Sequence, residues 1–501
     1  MNEQGRSQSL IDLFDNTALY ADPRKRRGKR HSLQEILLIL LVGYMLKIPS
    51  YRAIWRAFTI NEDHRAALEK ALPLPYGIPH YSTFSRVLST LDPIVLAWSV
   101  ADFFYQLLSH GPDKRQHICV DGKAIRAAQS KSKTGRNLYI LNVFDAGVNL
   151  FLLQLRVDEK KQEAKEFERQ AESILDGMWG TVTADALSSR KTIVEKILDC
   201  GMDAVLPIKG NNDNLKKRIL TFFHDMIASE SESASEHIDA WVDLNGHEAN
   251  QAPAEVVTNP VISFHEEDNP TNGDDVIYPL EKLRLYDKLF NYPKCEYGAD
   301  GTLISPVCDP SNKHILWVAV DGRWISLVQS HDRYERREIM LWTDLDGFAE
   351  ERCRCEYEGW DGIKTVGLIT RYRAEFFHDS SSPNKPRVLK LSITRTPYIT
   401  TCLFASAMEF GTIVRRHWAI ETAHGVIDKF FSEDKCSTRT GAGPENCSCL
   451  RKTAYNIVSL LFQRSGKKGP ADNEEFTACA EKHCSTVRKA LDTIKELVIP
   501  G

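Results

Sequence analysis

The chain has 501 residues, of which 42% are hydrophobic and 26% charged, a balance that is ordinary for a soluble globular protein. Its 64 basic and 68 acidic residues give a net charge of −4, so DNA binding would require the basic residues to be concentrated on one surface. The longest apolar run, 36–46, is too short to span a membrane, and residues 1–20 do not resemble a signal peptide. We therefore expect a cytoplasmic protein with more than one domain.

The first 112 residues are predicted to form a helical domain. Ser32 and Glu35 have the spacing of a capping box in front of an apolar helix that ends near Lys47. Apolar residues at helical spacing predict two further helices, over 51–58 and 81–91, with a proline-rich break between them. The second of these is polar and carries Arg86, so the pair resembles a DNA-binding helix-turn-helix. An ordinary pair of packed helices fits the same pattern equally well.

Residues 113–211 predict an α/β domain with mixed strand directions, because short apolar strands alternate with amphipathic helices. The predicted helices cover 160–175 and 188–198. The predicted strands cover 117–120, 138–144, 150–157, 180–184 and 204–208. The sequence Asp145-Ala146-Gly147 indicates a hairpin between the second and third strands.

Two aspartates, Asp121 and Asp185, each directly follow one of these predicted strands. A carboxylate at the carboxyl end of a strand points into the crevice where α/β sheets bind their ligands. Aspartates also commonly begin the turn after a strand, so a single one would more often be a turn residue. Since two occur on strands that we expect to be neighbours, a catalytic pair and a pair of turn residues both stay open.

A third acidic candidate lies on a helix predicted to run from about Thr401 to Phe431. Steps of four, three and four residues place several titratable side chains on one helical face, beside an apolar stripe. The titratable face consists of His417, Glu421, His424 and Asp428. This pattern is typical of a helix whose edge lines a charged site.

The three acids Asp121, Asp185 and Glu421 would offer hard oxygen ligands, which suit Mg²⁺ or Mn²⁺ better than Zn²⁺. Two such ions about 4 Å apart can activate a water or a 3′-hydroxyl for phosphoryl transfer. A zinc site built on His417 and His424 is disfavoured, since seven residues of helix separate them by about 10 Å.

The rest of the chain is an insertion, 212–400, a helical end of the core, 401–465, and a linker with a terminal helix, 466–501. Within the insertion the acidic, serine-rich stretch 229–272 is predicted to be partly disordered, and strands are predicted over 315–320, 324–328 and 363–369. Twelve cysteines are scattered along the chain, and we expect reduced thiols. The spacing of the candidate zinc ligands matches no standard module. These ligands are Cys295, Cys308, Cys353, Cys355, Cys447 and Cys449.

Several short motifs, in a fixed order from residue 10 to about 460, resemble those of bacterial insertion-sequence transposases of the H-repeat (ISAs-type) family. The motifs include Ala21-Asp22-Pro23-Arg24, Val120-Asp121-Gly122-Lys123, Ala184-Asp185-Ala186-Leu187, Lys209-Gly210-Asn211, His417-Trp418-Ala419-Ile420-Glu421 and Pro444-Glu445-Asn446. The chain departs from the family pattern at Thr422, where asparagine is expected, and at Gly425, where an aromatic residue is usual.

The resemblance implies an RNase H-like mixed-sheet catalytic core in which Asp121, Asp185 and Glu421 bind two Mg²⁺ or Mn²⁺ ions. It implies a DDE transposase that cuts and joins the ends of its own insertion sequence. The expected supporting residues are His417, Asp428, Lys209 and Lys123, of which the lysines are candidate phosphate contacts. The expected DNA-contacting residues are Arg24, Lys25, Arg26, Arg27, Arg86 and Arg126.

The partner implied is double-stranded DNA, bound by a homodimer associated with the nucleoid, without a membrane or a small-molecule cofactor. Two alternatives stay open from the sequence. A metal-dependent nuclease would use the same acids without strand transfer, and a catalytically retired or domesticated DNA-binding protein would keep the fold. A general regulatory helix-turn-helix protein would leave the α/β core unexplained.

Overall fold

The structure is a computed structural model, in which two compact units are distinguished. It describes residues 13–14, 22–25, 29–108, 115–125, 138–157, 162–185, 189–231, 296–297, 303–305, 307–309, 312–320, 323–330, 333–343, 360, 362–377, 388–404, 406–436, 438–465 and 473–498. Unit 1 comprises Met1–Ala184, Asp199–Met202 and Arg416–Gly501, and unit 2 comprises Asp185–Leu198 and Asp203–Arg415.

The described residues before the first strand are largely helical, as predicted. The helices are α1 (Leu33–Met45), α2 (Tyr51–Ile60), α3 (Glu62–Ala71), α4 (Tyr81–Thr90) and α5 (Pro93–Leu108). Ser32 and Glu35 form the predicted capping box: the Glu35 amide donates to Ser32 Oγ at 3.1 Å, and the Ser32 amide donates to Glu35 Oε2 at 2.9 Å. Because α1 is buried along almost its whole length, its apolar run is a core helix.

Within the described residues, no single helix has the length and apolarity needed to cross a bilayer. The helices over Tyr81–Thr90 and Pro93–Phe104 reach that length and composition only as a pair, with a bend of 93° between them.

The sheet of unit 1 contains β1 (Gln116–Ile125), β2 (Leu138–Asp145), β3 (Leu150–Val157) and β4 (Gly180–Ala184), with helix α6 (Glu163–Leu175) before β4. The strand order is β3-β2-β1-β4. The β1–β2 and β2–β3 pairs are antiparallel, whereas β1 and β4 are parallel. The predicted α/β architecture with mixed strand directions is therefore confirmed.

The first strand does not end at Val120, as the sequence suggested, but continues to Ile125. The reason is that residues 121–125 pair with 138–142 of β2, which supplies their ladder partners although the Asp-Gly-Lys sequence resembles a turn. The parallel pairing with β4 stops earlier, at Val120 opposite Ala184. Asp121 therefore lies inside β1, at the point where its parallel neighbour ends.

Unit 2 is built on an antiparallel sheet. It begins with helix α7 (Lys191–Asp199, of which the last residue belongs to unit 1), β5 (Asp203–Pro207), a short 3₁₀ turn (Gly210–Asn212) and α8 (Asp213–Ser231). The later strands are β6 (Glu296–Tyr297), β7 (Leu303–Ser305), β8 (Val307–Asp309), β9 (Asn312–Val320), β10 (Arg323–Ser330), β11 (Arg333–Trp342), β12 (Thr365–Phe377) and β13 (Val388–Thr400). The order is β5-β13-β12-β11-β10-β9-β8, and β6 pairs with β7.

The strand-rich character predicted for the insertion agrees with these strands, but β11 and β13 were not predicted. Their charged residues, such as Arg336 and Glu338 on β11, interrupt the apolar alternation that marks a strand. Most of the acidic stretch 229–272 lies outside the described residues.

The carboxyl-terminal elements are α9 (Ala407–Arg416), α10 (Trp418–Lys429), a 3₁₀ turn (Glu433–Lys435), α11 (Gly443–Arg464), α12 (Asn473–Cys484) and α13 (Val487–Val498). The single helix predicted from about Thr401 is wrong in two respects. Strand β13 continues to Thr400, and two helices follow, with His417 as the N-cap residue of the second. The break falls where the chain passes from unit 2 to unit 1.

Helix α11 joins the helical and sheet parts of unit 1. Its side chains are buried from Gly443 to Phe462. The Asn446 amide nitrogen donates to the carbonyls of Leu88 and Leu91 at 2.8 and 2.9 Å, at the end of α4. Asn456 exchanges two hydrogen bonds with the backbone of Phe151 on β3, at 2.9 and 2.7 Å. Buried amides require such partners, so these contacts fix α11 to both neighbours.

Candidate active site

Asp121 is the best defined of the predicted acids. His424 Nδ1 lies 3.4 Å from Asp121 Oδ2, and Asn142 Nδ2 lies 3.1 Å from the other ring nitrogen, His424 Nε2. Burial alone would raise the pKa of Asp121, but the hydrogen bonds from His424 and from the Gly122 amide bring it below its usual value. Burial lowers the pKa of His424. The pair is therefore an ionised carboxylate beside a neutral imidazole that donates from Nδ1 and accepts at Nε2.

Glu421 lies in the first turn of α10 and is exposed, whereas His424, three residues later, is buried. Because residues three apart on a helix are neighbours, the contact between His424 and Asp121 also brings the helix of Glu421 to β1. The structure thus places two of the three predicted acids in one region of unit 1.

Asp185 is the first residue of unit 2 and directly follows Ala184, the β4 residue paired with Val120. Asp121 and Asp185 are therefore the next residues of two strands that are in register up to that point. The Asp185 side chain is 48% exposed, and Lys209 Nζ lies 3.6 Å from its Oδ1. The structure brings Asp185 together with the predicted supporting residue Lys209.

No cluster of three or more His, Cys, Asp or Glu side chains in the described part of the chain is arranged to hold a metal ion. The donor chemistry nevertheless fits a hard divalent cation. All three predicted ligands are carboxylates, and Asp121 is held in its ionised form. The ring nitrogens of His424 both have hydrogen-bond partners, so this imidazole does not offer a nitrogen ligand to a metal ion.

Lys123 lies in the interior of unit 1, with its side chain 9% exposed. Its ammonium is 2.5 Å from Asp428 Oδ1 and 2.5 Å from Glu433 Oε2. The hydroxyl of Ser448 donates to the other Glu433 oxygen at 2.6 Å. This geometry assigns Lys123 to a buried ion cluster, rather than to the phosphate contact that its position after Asp121 suggested.

The two carboxylates of this cluster differ in their ionisation. Burial would raise the pKa of Glu433, but the charges of Lys123 and Lys452 and its hydrogen bonds lower it to about 2. Burial raises the pKa of Asp428 in spite of Lys123, and the Glu433 charge adds to that effect. Glu433 is therefore the principal counter-ion of Lys123.

Glu433→Gln is expected to lower the free energy of unfolding at neutral pH, and the deficit should shrink in acid. Since the folded pKa of Glu433 lies below the ordinary value of 4.5, its charge stabilises the fold above pH 4.5. That contribution is lost as the pH falls towards 2. Urea unfolding of both proteins at several pH values between about 7 and 3 measures the difference. Glu69→Gln, at an exposed site, is the control, and a deficit for Glu433→Gln that does not change with pH would contradict the assignment.

The family described as "Transposase DDE domain" matches residues 112–457, which include Asp121, Asp185 and Glu421. The chain belongs to the DDE transposase family. A second model, described as "DDE_Tnp_1-associated", matches residues 18–104, the helical region before β1.

Relatives of the chain place it in the H-repeat group of DDE transposases, as the motifs predicted. The H repeat-associated protein YhhI of Escherichia coli (strain K12), named as a transposase, is 22% identical over 451 residues, 90% of this chain and 91% of that protein. YbfD of the same strain, also H repeat-associated, is 26% identical over 208 residues, 42% of this chain and 80% of its own. An uncharacterised protein of the dhlA 3′ region of Xanthobacter autotrophicus is 29% identical over 225 residues, 44% of this chain and 73% of that protein.

The structure describes only some of the residues that were predicted to contact DNA. Arg24 bonds Asp22, with Nε 2.9 Å from Oδ1, and donates to the His31 carbonyl at 2.8 Å, so its guanidinium is engaged within the chain. Lys25 and Arg86 are exposed. Arg26, Arg27 and Arg126 lie outside the described residues.

Two arginines that were not predicted from the sequence, Arg52 and Arg56, are exposed on α2, and Arg86 is exposed on α4. Trp55 of α2 packs on His80 and Tyr81 at the start of α4, with ring centroids 4.9 and 5.6 Å apart. Within the described ranges, none of the three arginines forms an ion pair with a carboxylate. The sequence signal that identifies Arg52 and Arg56 is their separation by four residues on an amphipathic helix.

Proposed function

We propose that this protein is an active DDE transposase, which cleaves DNA at the ends of its own insertion sequence and joins them to target DNA. The observation that supports the proposal is the position and ionisation of Asp121. This ionised carboxylate lies where the parallel ladder of β1 and β4 ends, and it is oriented by a histidine of the helix that also bears Glu421. A carboxylate at that place in an α/β sheet faces the ligand crevice.

We propose further that the catalytic core is RNase H-like. The arrangement in unit 1 supports this: three antiparallel strands are followed by helix α6 and by a fourth strand parallel to the first. The family assignment gives the same expectation.

Asp121, Asp185 and Glu421 would hold Mg²⁺ or Mn²⁺, two ions in this proposal. Bound there, such ions supply charge neutralisation and an activated oxygen nucleophile for phosphoryl transfer. The role of the chain is to fix the carboxylates. His424 orients Asp121, and Lys209 Nζ lies 3.6 Å from Asp185 Oδ1. Glu421 is exposed and therefore accessible to DNA.

The supporting residues His417 and Asp428 are proposed to act on α10. His417 lies directly before the first residue of the helix and contacts Thr183, with 2.9 Å between Nδ1 and Oγ1, and Asp428 bonds Lys123 near the other end. Both contacts hold the helix of Glu421 to the sheet of unit 1. We propose double-stranded DNA as the partner, a homodimer as the form that pairs two ends, and the cytoplasm and nucleoid as the location.

The test is incubation of the protein with a labelled duplex that carries the repeats flanking its gene, in Mg²⁺ or Mn²⁺ and with a target plasmid. We expect metal-dependent cleavage at the repeat ends and joined products. Cleavage without joined products would identify a nuclease instead. Binding without cleavage would identify a retired transposase that serves as a DNA-binding protein.

The DNA surface is proposed to include Arg86 with Arg52 and Arg56, besides the predicted Lys25, Arg26, Arg27 and Arg126. Replacing Arg52, Arg56 and Arg86 by alanine is expected to weaken DNA binding and to reduce the slope of log affinity against log salt. The reduction should be about 0.9 for each phosphate that the variant no longer neutralises. Fluorescence anisotropy at several salt concentrations measures the slope. Arg169→Ala, at an exposed arginine of α6 paired with Glu166, is the control. A slope equal to that of the wild type would place the DNA elsewhere.

A further inference from the structure

A chain of hydrogen bonds links three side chains of unit 1 that come from different elements. His117 Nε2 on β1 lies 3.0 Å from Thr183 Oγ1 on β4. The same hydroxyl lies 2.9 Å from Nδ1 of His417, the N-cap residue of α10. His117 and Thr183 are buried, with 6% and 3% of their surface exposed. Thr183 is therefore the link between two strands and the start of a helix.

Each of these elements bears or precedes one of the proposed metal ligands. His117 lies four residues before Asp121, so the two side chains project from the same face of β1. Thr183 lies two residues before Asp185, and His417 lies four residues, or about 6 Å of helix, before Glu421. The hydrogen-bond chain thus connects the backbone segments that carry the ligands, at a distance from the ligands themselves.

The direction of the hydrogen bonds follows from the partners of His117. Burial, with the neighbouring charges of His417 and Arg416, lowers the pKa of His117 to about 3, so the ring is neutral. Its Nδ1 has no partner among the described residues. Since an orphaned buried N–H is rarer in proteins than an under-satisfied acceptor, the proton is assigned to Nε2, which donates to Thr183. The Thr183 hydroxyl then donates its single proton to His417 Nδ1.

The neighbouring thiol of Cys119 adds only weak contacts. Its sulfur is 3.4 Å from Thr183 Oγ1 and 3.9 Å from the carbonyl oxygen of Arg416. Sulfur is a weak donor and acceptor, so the hydroxyl of Thr183 carries the connection.

Helix α10 is fixed to the sheet at three places along its length. His417 bonds Thr183 at its start, His424 bonds Asp121 in its middle, and Asp428 bonds Lys123 near its end. Glu421 lies between the first and second of these contacts. Loss of the first contact would remove the hydrogen bond that holds the start of this turn to β4.

We propose that Thr183 is a positioning residue of the active site, whose hydroxyl, held between His117 and His417, sets the position of Glu421 relative to Asp121. The inference rests on the proposed function, because Glu421 and Asp121 are taken as metal ligands. Outer-shell partners of this kind typically change metal affinity or activity about 10–100-fold, and a misplacement of about 1 Å can have an effect of similar size.

The test compares Thr183→Val, which keeps the shape but removes the hydroxyl, with Thr183→Ser, which keeps the hydroxyl. Thr181→Val removes another buried hydroxyl from the same face of β4 and is the matched control. We expect Thr183→Val to lower the cleavage rate about 10–100-fold at unchanged DNA affinity and to raise the Mn²⁺ concentration needed for half-maximal activity. Thr183→Ser should restore both. Wild-type kinetics in Thr183→Val would overturn the proposal.

A second measurement does not depend on catalysis. Hydrogen–deuterium exchange of peptides covering 417–421 should be about five- to tenfold faster in Thr183→Val, as expected for the loss of a hydrogen bond, and unchanged in Thr183→Ser and Thr181→Val. Unchanged exchange in Thr183→Val would overturn the proposal. If exchange responds as expected but the wild type never cleaves DNA, the positioning contact stands and the proposed function fails.

Discussion

Asp121→Asn and Glu421→Gln are each expected to reduce DNA cleavage by more than about 1,000-fold, since residues one shell further out already account for about 10–100-fold. An amide keeps the shape of a carboxylate but lacks the negative charge that a divalent cation requires. The amide introduced by Asp121→Asn would still offer an oxygen to His424 Nδ1, and Glu421 is exposed, so both variants should fold. DNA affinity should stay close to that of the wild type.

The measurement is single-turnover cleavage of a labelled repeat-end duplex, together with anisotropy for binding. Asp185→Asn should behave as Asp121→Asn does. Glu409→Gln changes an exposed glutamate on α9, and it serves as the control that should keep full activity. Full activity in any of the three ligand variants would remove that residue from the proposed metal site.

Lys123→Met is expected to have the largest effect on stability, lowering the free energy of unfolding by about 3–5 kcal/mol. The side chain of Glu433 is 1% exposed and its charge is compensated by Lys123 at 2.5 Å, so the variant leaves a buried carboxylate without its nearest counter-ion. Arg169→Met breaks an exposed ion pair of α6 and should change stability far less than Lys123→Met does.

Urea unfolding of the two variants measures the difference. Adding Glu433→Gln to Lys123→Met should recover part of the lost stability, because it removes the uncompensated charge. A loss below about 1 kcal/mol in Lys123→Met, or no recovery in the double variant, would show that Lys123 is not the main counter-ion of the buried cluster.

Local signals in the sequence were sufficient for several elements. The capping box of Ser32 and Glu35, the strands over 150–157 and 180–184, and the α/β alternation between them all depend on residues close together in the chain. The position of Asp121 directly after the end of the parallel ladder could also be predicted from such local signals. The full length of β1 could not, because its last five residues pair with β2 across a connection whose sequence does not show the register.

The contacts that surround the candidate site join distant parts of the chain, and a single sequence does not reveal them. Lys123 and Glu433 are 310 residues apart, and Thr183 and His417 are 234 apart. Lys123 follows a candidate ligand and is basic, which suggested a phosphate contact, but its burial among carboxylates is decided by packing. Arg24 shows the same limit at short range. A cluster of basic residues in the sequence indicates positive charge. The contact of Arg24 with Asp22, two residues away, determines whether the charge of Arg24 is available to DNA.

Helix α11 has a consequence for how such a chain can change over generations. Asn446 holds the end of α4, and Asn456 holds β3, so a single segment near the carboxyl terminus completes both the helical region and the sheet of unit 1. An exchange of the first hundred residues between relatives would need a matching exchange of this segment. A gene copy cut short before residue 443 would lose the contacts that α11 makes with both parts.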